Sequence, residues 1–192
     1  YCWEQDLSKV DVKTLVQYMK DIDVVFHLAA KTAVQESIEN PLLYNKNTEI
    51  TLKLLEAAKR ANVGKFIFSS SSSIYGNAKT PTGEEHRLDP MSPYAQSKIN
   101  DENYCRLYTE LYGLDVCILR YFNVYGDRMS NEGGYKLVFP IFKEQIENGK
   151  PLTINNDGKQ RRDFIHVDDI VDVNMLVANK SYCATYNVGS GT

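Results

Sequence analysis

Three short apolar runs, residues 23–30, 65–69 and 115–122, are separated by two segments patterned as amphipathic helices. The first run, Asp-Val-Val-Phe-His-Leu-Ala-Ala, is nearly continuous rather than alternating, as in strands buried on both faces of a parallel sheet. Residues 47–62 carry a helical stripe through Leu52 and Leu55, with Lys59 and Arg60 close to a stop at Asn62 and Gly64. Residues 94–112 repeat Tyr104, Leu107, Tyr108 and Leu111 at helical spacing, start at Ser92 or Pro93 and stop at Gly113. Strand, helix, strand, helix, strand is the order of a parallel α/β sheet with right-handed crossovers. Ligands of such sheets collect at the carboxyl ends of the strands. Here those ends are residues 28–30, 69–73 and 122–126, all rich in small or polar side chains, as a site built against a flat cofactor needs.

Tyr94 and Lys98 open the second helical segment four residues apart. A helix puts such a pair on one face, so the Lys98 ammonium favours the ionised form of the Tyr94 phenol. A free phenol has a pKa of about 10, and a fixed cation is one of the few ways to make it a base near neutral pH. The spacing alone is weak, because a chain with 13 tyrosines holds roughly one such match by chance, and Tyr75 with Lys79 is a second. Gly76, Asn77, Pro81 and Gly83 follow Tyr75, however, and turn residues do not hold such a face. The serines at 69–73 have the composition of a solvated loop or linker. Their place between a compact strand and Ile74-Tyr75-Gly76 instead predicts an ordered strand end.

A length of 192 residues fits one substantial core, or one domain with part of another. With 43% hydrophobic residues and a formal charge of -3, the chain reads as a soluble globular protein with no electrostatic reason to bind nucleic acid or an anionic membrane. No apolar run approaches the ~18 residues that span a bilayer and no signal-peptide pattern is present, while the scattered cysteines favour a cytoplasmic location. Cys2, Cys105, Cys117 and Cys183 form no C-x-x-C pair and read as reduced thiols, with Cys105 and Cys117 suited to core packing. His27, His86 and His166 share no ligand spacing, so no metal site is expected. A chain opening on Tyr1 reads as a fragment or a processed form. After Gly126 come a polar connection at 127–135, a helix at 140–148, strands at 152–155 and 164–167, a helix at about 169–179 capped by Asp168, and the start of a new element at 186–191.

Three segments, Phe68-Ser-Ser-Ser-Ser-Ser-Ile-Tyr-Gly76, Ser92-Pro-Tyr-Ala-Gln-Ser-Lys98 and Leu119-Arg-Tyr-Phe-Asn-Val-Tyr-Gly126, resemble successive motifs of the extended short-chain dehydrogenase/reductase superfamily. They are most similar to its nucleotide-sugar epimerases and dehydratases, in particular the UDP-glucose 4-epimerase group. Residues 23–30 resemble the strand lining the cofactor, and Arg161-Arg-Asp-Phe-Ile-His-Val-Asp168 resembles a segment reaching the nucleotide sugar. The resemblance implies a Rossmann-type doubly wound parallel sheet lacking its first βα unit. It divides the chain into a partial NAD-binding domain, residues 1–126, and part of a small substrate-binding region, residues 127–192, with about 164–180 packing back on the first. The implied cofactor is NAD, the implied substrate a nucleotide sugar such as a UDP-hexose, and the implied assembly a homodimer when the protein is complete.

The catalytic residues implied by the resemblance are Ser71, Tyr94 and Lys98, with Lys98 also holding the cofactor ribose. The implied cofactor contacts are Asp6 and Leu7 near the adenine, Leu28, Ala29 and Ala30 beneath the pyrophosphate and ribose, and Asn47. Ser69, Tyr121 and Phe122 would flank the nicotinamide. Asn123, Leu137, Arg162 and Phe164 match positions around the nucleotide sugar, Arg162 suiting the diphosphate. Plainer readings stand beside these: Leu28, Ala29, Phe122 and Leu137 as core, Arg161 rather than Arg162 as the anion contact, and Asp6 as a turn or cap residue. The family's glycine-rich phosphate loop does not occur in these residues, so the chain by itself is expected to bind NAD poorly and to be inactive. Ile50 stands where a small residue is common. The implied reaction is inversion at C4 through a 4-keto sugar. In the dehydratase branch an Asp-Glu pair follows the catalytic Ser/Thr, where this chain has Ser72 and Ser73, so dehydration is disfavoured. Related reductases, heptose epimerases and a non-catalytic dinucleotide-binding regulator remain as alternatives.

Overall fold

The structure, a computed structural model, describes residues 4–129, 138–154, 156–180 and 183–191. Its strands in chain order are β1 (Val24–His27), β2 (Lys65–Ser71), β3 (Val116–Tyr121), β4 (Asn123–Tyr125), β5 (Phe164–His166) and β6 (Thr185–Val188). Its helices are α1 (Val12–Tyr18), α2 (Val34–Glu39), α3 (Pro41–Ala61), α4 (Pro93–Tyr112), α5 (Val138–Glu147) and α6 (Val167–Ala178). A four-stranded parallel sheet runs β1, β2, β3, β6, pairing Phe26 with Ile67, Phe68 with Ile118 and Tyr121 with Val188. Strands β4 and β5 form a separate parallel pair.

Alternation along β2 assigns its side chains to two layers. Phe66 and Phe68 pack with Leu54 and Leu55 of α3 and Cys105 of α4, whereas Ile67 meets Ile170 and Val177 of α6. Helices therefore cover both faces, the doubly wound α/β arrangement that the family resemblance implies. Phe66, Ile67 and Phe68 are fully buried, and each such side chain contributes roughly 1.5–3 kcal/mol by leaving water. The buried thiols of Cys105 and Cys117 belong to these two layers, which bears out their reading as core.

Several boundaries differ from expectation. Residues 23–30 are not buried on both faces: Val24 and Val25 are half-buried and Phe26 is exposed, because β1 is an edge of the described sheet. Helix α3 starts already at Pro41, where a proline costs no hydrogen bond, and the polar Asn45 and Lys46 obscure that start. It ends on Asn62 in the left-handed conformation, φ 55°, with Lys59 and Arg60 in its last turn. Helix α4 follows the expected limits: Ser92 Oγ accepts the Ala95 N–H at 3.1 Å, Pro93 opens the first turn, and Gly113 stops the helix at φ 70°.

Residues 152–154 form no strand, and residue 155 lies outside the described residues. The Gln145 side chain instead takes the backbone N–H and the hydroxyl of Thr153 as partners, substituting for a ladder. Helix α6 starts two residues earlier than expected, with His166 rather than Asp168 as its cap; His166 Nδ1 accepts the Asp168 N–H at 3.3 Å. Helices α1 and α2 are too short for periodicity to reveal. Among the described residues, no helix is long and apolar enough to cross a membrane.

Candidate active site

The carboxyl end of β2 runs straight into a single 3₁₀ turn, Ser72–Tyr75, so the serine run is ordered as its position implies. Ser71 caps that turn, its Oγ accepting the Ser73 N–H at 3.2 Å. Gly76 closes it at φ 57°, and a Cβ there would lie 2.0 Å from the Asp89 carbonyl oxygen, so only glycine fits. Tyr75 belongs to this turn and not to a helix. Its hydroxyl donates to Asn187 Oδ1 at 2.7 Å and accepts from Arg120 Nη1 at 2.6 Å. The Tyr75 and Lys79 spacing is thus coincidental, as its turn residues indicate.

Helix α4 packs on β2 and on this turn. Its buried face presents Tyr94, Ala95, Ser97, Lys98, Asp101, Glu102, Cys105 and Tyr108. Lys98 is 4% exposed; its ammonium donates to the Ser69 carbonyl at 2.8 Å and lies 4.7 Å from the centre of the Phe68 ring. Burial brings the Lys98 pKa down to about 8, opposed by Asp101, Cys105 and Glu102, so the side chain stays largely cationic at neutral pH. The Tyr94 ring meets Tyr44 edge-on, with centroids 6.4 Å apart, and Tyr44 is itself held by a 2.7 Å hydrogen bond to Glu36. Lys98 thus ties the first turns of α4, which carry Tyr94, to the strand end at Ser69, two residues before Ser71.

Leu28 and Ala29 are exposed and Ala30 half-exposed just past β1, so the first two pack in no core among the described residues. Buried Asn47 clamps this segment: its side chain accepts the Lys31 N–H at 2.9 Å and donates to the Lys31 carbonyl at 3.0 Å. Its action on a ligand would pass through that loop. Ser69 Oγ donates to the Tyr121 hydroxyl at 3.2 Å, and Tyr121 pairs with Asn174 of α6, joining strand ends β2 and β3 to the helix. Phe122 is half-buried beside Gly189, where a Cβ would meet its ring at 3.1 Å.

Asp6 takes the Ser8 N–H and hydroxyl, the contacts of a turn residue, and Leu7 packs on the core edge. On the β4–β5 pair, Asn123 Nδ2 donates to the Asp163 carbonyl at 2.9 Å, and Phe164 stacks edge-on with Phe139 at 4.9 Å. Arg161 and Arg162 are both exposed. Leu137 lies outside the described residues.

Sequence reasoning missed a buried polar cluster behind Lys98. His27 of β1, 3% exposed, shares a 2.9 Å hydrogen bond between Nε2 and Thr51 Oγ1 of α3, while its Nδ1 has no partner. Asp101 is fully buried. The signal was present in the three-residue spacing from Lys98 to Asp101, which any α4 places on one face. Burial, helped by the Lys98 charge, pushes His27 down to about 3, so it is neutral in the fold. The unfolded chain binds its proton near 6.5, so stability is full above that value and is lost as pH falls toward about 3. The effect is at most on the order of 4–5 kcal/mol. Asp101, raised to about 6 by burial, acts with the opposite sign and offsets part of this loss between 3.8 and 6. His27→Gln, which keeps a partner for Thr51 but does not titrate, is expected to lose less stability on acidification than the wild type in urea titrations. Parallel pH profiles for the two proteins would contradict a neutral buried imidazole.

The profile of the NAD dependent epimerase/dehydratase family matches residues 4–189. The UDP-glucose 4-epimerase of Mycolicibacterium smegmatis is 36% identical over 190 residues, 97% of this chain and 60% of the relative. Among solved structures, the UDP-N-acetylglucosamine 4-epimerase from Methanobrevibacter ruminantium M1, in complex with UDP-N-acetylmuramic acid, superimposes with a TM-score of 0.94 at 43% identity. That match covers 99% of this chain and 61% of the other. The UDP-glucuronic acid 4-epimerase from Bacillus cereus, in complex with UDP-glucuronic acid and NAD, gives a TM-score of 0.87 at 34% identity over 96% of this chain and 58% of that one. The chain thus spans about three fifths of the length of the proteins it matches.

Proposed function

Because this chain belongs to the NAD dependent epimerase/dehydratase family, we propose that the whole protein carrying it is an NAD-dependent nucleotide-sugar epimerase inverting C4 of a UDP-hexose through a 4-keto intermediate. The observation that carries the reading is the buried Lys98 ammonium on the Ser69 carbonyl, which fixes the start of α4 against the strand tip bearing Ser71. The residues present fit NAD. Exposed Leu28 and Ala29 with half-exposed Ala30 leave an open shelf of mostly small side chains, and Asn47 holds its far end. When bound, NAD supplies the hydride acceptor and donor.

The chain's own residues handle the proton and the orientation. Tyr94, as the phenolate favoured by Lys98, takes the C4 hydroxyl proton and later returns it. Ser71 donates a hydrogen bond to the same oxygen as it gains carbonyl character. Ser69, Tyr121 and Phe122 line the strand ends beside the reacting carbon, and Lys98 holds the ribose. Asn123 and Phe164 border the sugar nucleotide, with Arg162 on its diphosphate.

Ser72 and Ser73 occupy the two positions after Ser71, and hydroxyls there supply no acid and base for loss of water, which favours epimerisation over dehydration. The exposed Leu107, Leu111 and Tyr112 of α4 support pairing of two copies through this helix. The test is a panel of UDP-, ADP- and dTDP-sugars offered to the whole protein with NAD, scored for epimer formation. Interconversion of UDP-glucose and UDP-galactose is expected, and product from an ADP-heptose alone would overturn the substrate assignment.

A further inference from the structure

Lys98 sits in a pocket whose charged and titratable groups can be named element by element. From β1 comes His27, whose ring is neutral, and from β2 only the Ser69 carbonyl and the Phe68 ring. The hydroxyls of Thr48 and Thr51 on α3, which do not titrate, act on Asp101. On α4 itself lie Tyr94, Asp101, Glu102 and Cys105. Burial raises the Cys105 thiol well above its ordinary value, so it carries no charge. Glu102 is committed elsewhere: its two oxygens receive Arg120, Arg106 and Ser70 at 2.6 to 2.9 Å.

Asp101 is the remaining carboxylate. It is fully buried, lies one helical turn from Lys98, and neither oxygen makes a hydrogen bond of ordinary geometry, although the Thr48 and Thr51 hydroxyls favour its ionised form. A buried carboxylate without a paired cation is costly unless a nearby charge compensates it. Among the described residues, Lys98 is the cation that acts on it most strongly.

We propose that Asp101 is a positioning residue, the internal counter-charge that keeps the buried Lys98 ammonium protonated where it meets the Ser69 carbonyl at the strand end. The role rests on the epimerase reading for its catalytic meaning, but not for its test. Asp101 does not touch the reacting atoms; it acts through Lys98, and sets how far into alkaline pH the lysine retains its charge. Loss of the counter-charge lets Lys98 shed its proton at lower pH, and the cation that favours the Tyr94 phenolate disappears with it.

The experiment is an NMR titration of the Lys98 side chain in the whole protein, comparing wild type with Asp101→Asn. The Lys98 midpoint is expected to fall by ~1 pH unit or more in the variant, and the alkaline limb of turnover to move down with it. A Lys98 midpoint that stays in place overturns the proposal. Linkage supplies a second arm that needs no folded Asp101→Asn protein: in Lys98→Met the Asp101 carboxyl midpoint must rise. If Asp101→Asn does not fold, this arm decides, and an unmoved Asp101 midpoint overturns the proposal. Because both titrations are read without turnover, a protein inactive on every sugar nucleotide would refute the epimerase reading and leave the counter-charge result standing.

Discussion

Tyr94→Phe is expected to lower kcat for UDP-hexose epimerisation by ~10²–10⁴-fold while leaving sugar-nucleotide binding within a few fold. The substitution removes one hydroxyl and no packing surface, since the ring keeps its edge contact with Tyr44 and its place at the start of α4. Loss of general-base action alone accounts for the expected magnitude. The effect belongs in kcat rather than KM because the proton moves only in the reacting complex. Turnover within a few fold of wild type would show that another group takes the proton. Isothermal calorimetry with the UDP-sugar separates this outcome from a failure to bind.

The second large effect is on stability. Glu102 is fully buried and Arg120 2% exposed, and they meet through paired contacts, Nε to Oε1 at 2.9 Å and Nη2 to Oε2 at 2.7 Å. Arg120 Nη1 continues to the Tyr75 hydroxyl and the Glu84 carbonyl, and Glu102 accepts Ser70 Oγ at 2.6 Å. This network ties α4, β2, β3 and the turn bearing Ser71 together. Burial opposes charge on Glu102, but the hydrogen bonds from Arg120 and Ser70 outweigh it and lower the pKa. Its contribution is thus present above the ordinary value of 4.5 and lost as pH falls through the depressed one.

Glu102→Leu leaves the guanidinium buried without its carboxylate and is expected to cost about 3–5 kcal/mol in urea unfolding at neutral pH. Replacing both partners, Glu102→Leu with Arg120→Met, is expected to recover most of that loss, because no uncompensated charge remains. Equal destabilisation in the single and double variants would contradict the pairing.

The sequence made the scaffold legible where one physical signal dominated. Continuous apolar runs located β1, β2 and β3, and the cap residues Ser92, Pro93 and Gly113 bracketed α4 closely. It misled where several signals competed. The first apolar run implied burial on both faces, whereas in this stretch, about three fifths of the length of its relatives, β1 is an edge of the described sheet and Phe26 is exposed. Residues 152–155 read as a short strand, but 152–154 form none and the Gln145 side chain takes the Thr153 N–H instead. His166 caps α6 through a ring nitrogen, a role that composition assigns more readily to Asp168.

At the candidate site, the pattern from Tyr94 to Lys98 and the serine run were readable because local spacing carries them. What surrounds Lys98 was legible only in part: Asp101 lies one turn away on α4 itself, whereas the proximity of His27 and Thr51 arises only when β1 and α3 pack there. The same holds for Asn174, whose link to Tyr121 depends on α6 crossing the second face of the sheet.

The central claim is that the buried charge of Lys98 makes Tyr94 a usable base. Its most direct measurement is the pH dependence of the single-turnover rate of sugar oxidation in the whole protein with NAD bound, for wild type and Lys98→Met. Removing the cation makes the phenol harder to ionise, so the acid limb of the profile is expected to move to higher pH by ~1 unit or more. An acid limb at the same pH in both proteins would contradict the account.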